Sequence, residues 1–115
     1  NKVLLEDIFG VWIGSFNGRK IEISLNDKMQ CKIKINDSLS NSIEEYKGTY
    51  YVDFSKKPIP LTIKKINKLD YALYTTFKFL DKNSIRLSFF SKSWKFRSIS
   101  IREDNSIILI KNHNI

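Results

Sequence analysis

The stretch Phe9-Gly10-Val11-Trp12 decides how the rest of the chain is read, because a helical spacing ends there and a strand spacing begins. Upstream, Leu4 with Ile8 and Leu5 with Phe9 stand four residues apart, which puts them on one helical face, so a short helix is expected over residues 2–9. Downstream the period falls to two. Trp12, Gly14 and Phe16 share one face of a strand, and Val11, Ile13 and Ser15 share the other. Asn17-Gly18 then supplies two neighbouring residues that tolerate positive φ, as a type I′ hairpin turn requires.

The alternation continues outward from that hairpin. Ile21, Ile23 and Leu25 point inward on a second strand, and Met29, Cys31, Ile33 and Ile35 on a third, against outward Lys28, Gln30, Lys32 and Lys34. Residues 36–44 are polar and without period, and are read as the longest loop. A fourth strand is expected over 45–54, with Tyr46, Gly48, Tyr50, Val52 and Phe54 on one face. A fifth begins at Pro60, where the missing N–H is tolerated. Strands over 70–80 and 84–90 form a hairpin across Asp81-Lys82-Asn83, and an eighth strand is read over 95–102. The final run from Ser106 to Ile110 is apolar at four successive positions. It is either buried on both faces or a seam for a partner, as in a homodimer.

This succession of strands, with no helix long enough for a crossover, predicts an all-β protein. The specific form is an up-and-down antiparallel eight-stranded barrel with a short N-terminal helix and an extra C-terminal strand; a sandwich is the alternative. At 115 residues the chain makes one domain, 1–115, with a single core. A hydrophobic fraction of 42% and an aromatic fraction of 13% exclude a disordered chain. The lone Cys31 forms no internal disulfide and reads as a small buried apolar residue. No run reaches the ~18–20 apolar residues that cross a bilayer as a helix, so no membrane span of that kind is expected. Because the chain starts at Asn1 without Met, export with removal of an upstream segment is kept open.

The order of elements resembles the lipocalin and calycin superfamily: a helical turn, Gly10-x-Trp12 on the first strand, then hairpins and a basic residue closing the eighth strand. The segment Gly48-Thr-Tyr-Tyr-Val-Asp-Phe-Ser-Lys-Lys-Pro58 is similar to the mid-chain pattern of short bacterial lipocalin-like domains. The resemblance implies that Trp12 packs across a closed barrel end beneath an arginine of the last strand. Arg102 is the expected arginine, with Arg97 as the alternate. The tight Asn17-Gly18 turn separates the chain from the fatty-acid-binding branch, which inserts a helical pair there.

Counting strands up and down from a closed end at Trp12 assigns the open mouth to residues 17–19, 36–44, 67–70 and 91–94. The inward residues near that mouth are then Phe16, Ile35, Tyr46, Ile63, Leu73 and Phe89, with Trp94 on the rim. They would line an apolar pocket, and Arg19, Lys68 and Lys92 would draw an anionic head toward it. The expected function is therefore non-catalytic binding of a small hydrophobic or amphipathic, anionic ligand in the barrel mouth. The same side chains would equally fill a small barrel, since ligand-holding and side-chain-filled barrels both occur at this strand number.

Two alternatives belong to other classes. A net charge of +8 suits anionic partners, although dispersed lysines also make a solvated outer face. Phe89, Phe90, Trp94 and Phe96 interleave with Lys92, Lys95 and Arg97, a pattern that single-stranded nucleic acids use, but period-two alternation would bury about half of those rings. The apolar 106–110 run would serve a protein-interaction or inhibitor module through a strand edge. Enzyme activity is not expected. Glu44 and Glu45 point to opposite faces of a strand, His113 stands alone in a polar tail, and no metal-ligand spacing, cofactor loop or nucleophile triad occurs.

Overall fold

In the computed structural model, which describes residues 3–112, the strands are β1 (Gly10–Phe16), β2 (Arg19–Leu25), β3 (Gln30–Asp37), β4 (Ser42–Val52), β5 (Ile59–Lys64), β6 (Leu73–Asp81), β7 (Ser84–Ser88) and β8 (Ser106–Asn112). Each pairs antiparallel with its neighbours in sequence, and β8 returns to β1, so the sheet closes into a barrel. The β1–β2 turn is the tight one expected, with Asn17 at φ 51° and Gly18 at φ 77°. A second turn is tied to it at the same end: Ser38 donates from its backbone N–H and its hydroxyl to the Gly18 carbonyl at 3.2 and 2.7 Å.

Three expectations change. The segment before Gly10 forms a single 3-10 turn, Leu5–Ile8, in place of a helix over 2–9, and Lys2 lies outside the described residues. Ile8 is buried while Leu4 and Leu5 stay exposed, because only one side of so short a turn meets the barrel. The polar stretch 36–44 is largely strand: β3 runs through Asp37 and β4 starts at Ser42. The Asp37 carboxylate accepts from the Leu39 and Ser40 N–H groups at 3.0 and 3.4 Å, so a short Asx turn suffices where a long loop was expected. The longest connection is residues 89–105.

The third change is the largest. No strand forms over 95–102; Trp94–Phe96 is a 3-10 turn and residues 97–102 are irregular. The reason is a slip of phase, since Phe96 falls on even positions and Ile99 and Ile101 on odd ones. The run expected as an extra strand is the eighth strand itself. Its alternation is regular: Ile107 and Leu109 are buried, while Ile108 and Ile110 are 42% and 58% exposed. β8 pairs with β7 over Ser84–Ser88 and with β1 at Val11–Ile13. The two ladders overlap at Ile110, so Ser106–Leu109 pair with β7 and Lys111–Asn112 with β1.

Gly14 lies at that closing contact. A Cβ there would fall 2.5 Å from the Ile108 carbonyl oxygen and 2.6 Å from Leu109 Cδ2, so only glycine lets β1 and β8 approach this closely. The expected closed end is present, with a different cation. Trp12 is buried beneath the 3-10 turn and donates its indole N–H to the Ile8 carbonyl at 2.9 Å. Lys111 places its ammonium 5.0 Å from the Trp12 ring centroid and donates to the Asp7 carbonyl at 2.9 Å. Arg102 is exposed at the start of the 3-10 turn Glu103–Asn105, paired with Asp104 at 2.9 Å. A basic residue at the closed end of the last strand is thus found on β8, which the count had treated as surplus.

Candidate functional site

The barrel interior is packed around Trp12. Thr75, on the inward face of β6, donates its hydroxyl to the Ser88 carbonyl at 2.6 Å, and the Ser88 hydroxyl accepts from the Thr76 N–H at 3.0 Å where β7 peels away from β6. Further in, the void between Trp12, Ile23, Leu61, Phe77 and Leu109 has a volume of about 10 Å³, no more than one water occupies. Eight tilted strands leave this little room once large side chains alternate inward.

The residues expected to line a mouth pocket are only partly brought together. Phe16 and Phe89 meet with ring centroids 5.1 Å apart, each about two-fifths exposed, and lie over the mouth. Ile35, Tyr46 and Leu73 pack against the core, and Ile63 is core itself, buried against Gly48. Tyr46 donates its hydroxyl to Glu44, and Lys68 stands 5.8 Å from the Tyr46 ring. Arg19 faces solvent and pairs with Asp37 at 3.4 Å. Trp94 is not on the mouth rim. It leaves with the 89–105 connection, which runs along the outside of the barrel.

That connection is a strap. Tyr74 and Ser91 exchange two backbone hydrogen bonds of 2.8 Å, Ser98 offers its carbonyl to the Thr76 hydroxyl at 2.9 Å, and Arg97 donates through Nη2 to the Thr62 hydroxyl. Thr62, Tyr74 and Thr76 are outward residues of β5 and β6, alternating with inward Leu61, Ile63, Thr75 and Phe77. The Phe89 N–H donates to the Asn105 carbonyl at 2.9 Å and fixes where the strap returns to β8.

Two grooves adjoin the strap. One, of about 460 Å³, has Pro60 and Thr76 on the wall, Trp94, Lys95, Arg97 and Ile99 on the strap, and Lys56, Lys57 and Pro58 from the β4–β5 turn. The other, of about 500 Å³, is mainly apolar and is lined by Val3, by the inward residues Ile59, Phe77 and Phe79 of β5 and β6, and by Ile101 from the strap, with Lys57, Lys78 and Pro58. Both include Lys57 and Pro58, so they adjoin there. The turn that presents these residues is held by Asp53, whose carboxylate accepts from the Ser55 N–H and hydroxyl at 3.0 and 2.5 Å. Those bonds to the charged form hold the Asp53 carboxyl below its ordinary pKa.

The electrostatics are one-sided. Lys56 shares Asp53 at 4.0 Å, whereas Lys57, Lys95 and Arg97 have no acidic partner among the described residues. Arg97 is partly buried, its guanidinium 5.1 Å from the Tyr74 ring, and desolvation lowers its pKa from the ordinary arginine value. Trp94 and Phe96 are 65% and 78% exposed on the 3-10 turn Trp94–Phe96.

Sequence reasoning had flagged Trp94, Lys95 and Arg97 as a basic aromatic segment but missed Lys57, Pro58 and Ile101. The available signal was Lys56-Lys57-Pro58, which enters the sequence reading as the end of the segment Gly48–Pro58 that resembles lipocalin-like domains. Cys31 is a buried free thiol, and burial pushes it up to about 12, away from the thiolate a nucleophile needs. No group of three metal-ligating side chains occurs among the described residues, and His113 lies outside them. Compared with family models, curated proteins and solved structures, the chain matches none.

Proposed function

We propose that this protein binds a small amphipathic anion without catalysis, and that its site is the pair of adjoining grooves beside the strap. The observation carrying this reading is the junction at Lys57-Pro58, where an apolar groove meets one with three cations that lack acidic partners. An apolar chain would lie against Ile59, Phe77, Phe79 and Ile101, and an anionic head beside Lys57, Lys95 and Arg97. The void around Trp12, about 10 Å³, is too small for such a ligand. Native mass spectrometry of freshly purified protein tests the reading: a retained small molecule, lost in Ile101→Asp, is expected. Retention unaffected by that substitution would move the ligand elsewhere.

Single-stranded nucleic acid is a second reading, favoured by the exposure of both Trp94 and Phe96 beside Lys95. Binding of an oligonucleotide should then weaken steeply with salt and depend on both rings. Kinship with lipocalin-like proteins is likewise proposed. It is supported by the closed end, where Trp12 of Gly10-x-Trp12 lies under a cation of the last strand.

A further inference from the structure

Arg97 is built differently from the other cations of the strap. Its Nη2 donates to Thr62, and its Nε is buried with no hydrogen-bond partner. Removing a guanidinium from water without a carboxylate is costly, and stacking on Tyr74 recovers only part of that cost. A residue needed only to fasten the strap would not require a charge, because Ser91 and Ser98 already bond to Tyr74 and Thr76. Arg97 also lines the groove shared with Lys57 and Lys95.

We infer that the Arg97 edge is an oxyanion anchor, and that the head group it takes is a phosphate monoester carried on an apolar chain. This rests on the groove reading above and specifies its head group. A guanidinium edge matches both carboxylate and phosphate oxygens. Three cations without acidic partners favour the dianion over the monoanion, and the adjoining apolar groove favours an alkyl ester over free phosphate.

The test uses the intact protein and follows Trp94 fluorescence, with Trp94→Phe as the control for the buried Trp12. The probes are decyl phosphate below its micelle concentration, decanoate and inorganic phosphate. Decyl phosphate should bind at least about tenfold more tightly than either of the others. Arg97→Gln should weaken it by about tenfold or more, and Arg97→Lys by nearly as much, because the fork is lost. Thr62→Val removes the partner of Nη2 on the wall and should leave affinity within about twofold.

Equal loss in Thr62→Val and Arg97→Gln would make Arg97 a strap fastener and overturn the anchor. Decanoate binding as tightly as decyl phosphate would overturn the phosphate assignment. If Ile101→Asp weakens decyl phosphate and Arg97→Gln does not, the grooves stand and the anchor fails. If neither variant matters, both fail. Should Arg97→Gln unfold the strap, seen as lost amide signals for residues 91–99, Arg97→Lys with Thr62→Val decides.

Discussion

Replacing Trp12 by Phe tests whether the closed end is held as described. The indole N–H donates to the Ile8 carbonyl at 2.9 Å in buried surroundings, and Phe leaves that carbonyl without a partner, a loss of about 1–3 kcal/mol. The smaller ring also disturbs the edge-on contact with Phe79 at 6.4 Å, worth about 0.5–1.5 kcal/mol. Together these give roughly 2–4 kcal/mol, a large share of the ~5–15 kcal/mol that holds a domain folded. Urea unfolding should show the midpoint falling by about 1–2 M with its slope unchanged. Lys111→Met, which removes the cation over the same ring, should cost about 0.5–1 kcal/mol. The double variant should cost less than the sum, because both changes act on one contact. An unchanged midpoint in Trp12→Phe, or strict additivity with Lys111→Met, would refute this account of the closed end.

Other outcomes follow from burial and close approach. Burial raises the Cys31 thiol from 9.0 to about 12, so above pH 9 the unfolded chain releases a proton that the folded chain keeps. Stability from this group is full below pH 9 and falls as pH rises toward 12; at pH 10 the loss should be about 1 kcal/mol, and Cys31→Ala should flatten that slope in urea titrations. Gly14→Ala forces a methyl against the Ile108 carbonyl and Leu109, and should cost about 3 kcal/mol or more by the same assay. Ile110→Asp, on the outer face, should shift stability by less than about 1 kcal/mol and leave the mass by light scattering unchanged, whereas Leu109→Asp should prevent folding.

The barrel was legible because period-two alternation survives in nearly every strand and Asn17-Gly18 fixes the first register. Errors arose where local pattern and pairing disagree. Residues 95–102 carry strand-forming side chains, yet the phase slip after Phe96 denies them one common face. With that segment counted as the eighth strand, Ser106–Asn112 became surplus and Lys111 was passed over in favour of Arg102. The candidate site was only partly legible because it is built between distant segments. Nothing local in Lys56-Lys57-Pro58 indicates that the strap will pass beside it, and hydrogen bonds of Arg97 and Ser98 to Thr62 and Thr76 decide where it runs. Ile63 and Trp94 were misplaced for related reasons: inward alternation does not say how deep a residue sits, and a strand end assumed at the mouth was a turn on the outer wall.

The seam between Val11–Ile13 and Ile110–Asn112 has a bearing on how the molecule is made. It joins segments almost a chain length apart, so its loop-closure entropy must be met before any of its hydrogen bonds form. Until β8 arrives, β1 has one unpaired edge, and Trp12 lacks the lysine that covers its ring. A chain cut before residue 106 would keep that edge open and expose the hydrophobic faces of β1 and β7. Its failure should therefore take the form of association through β1 rather than a loosened monomer, which places the last strand among this protein's defences against aggregation.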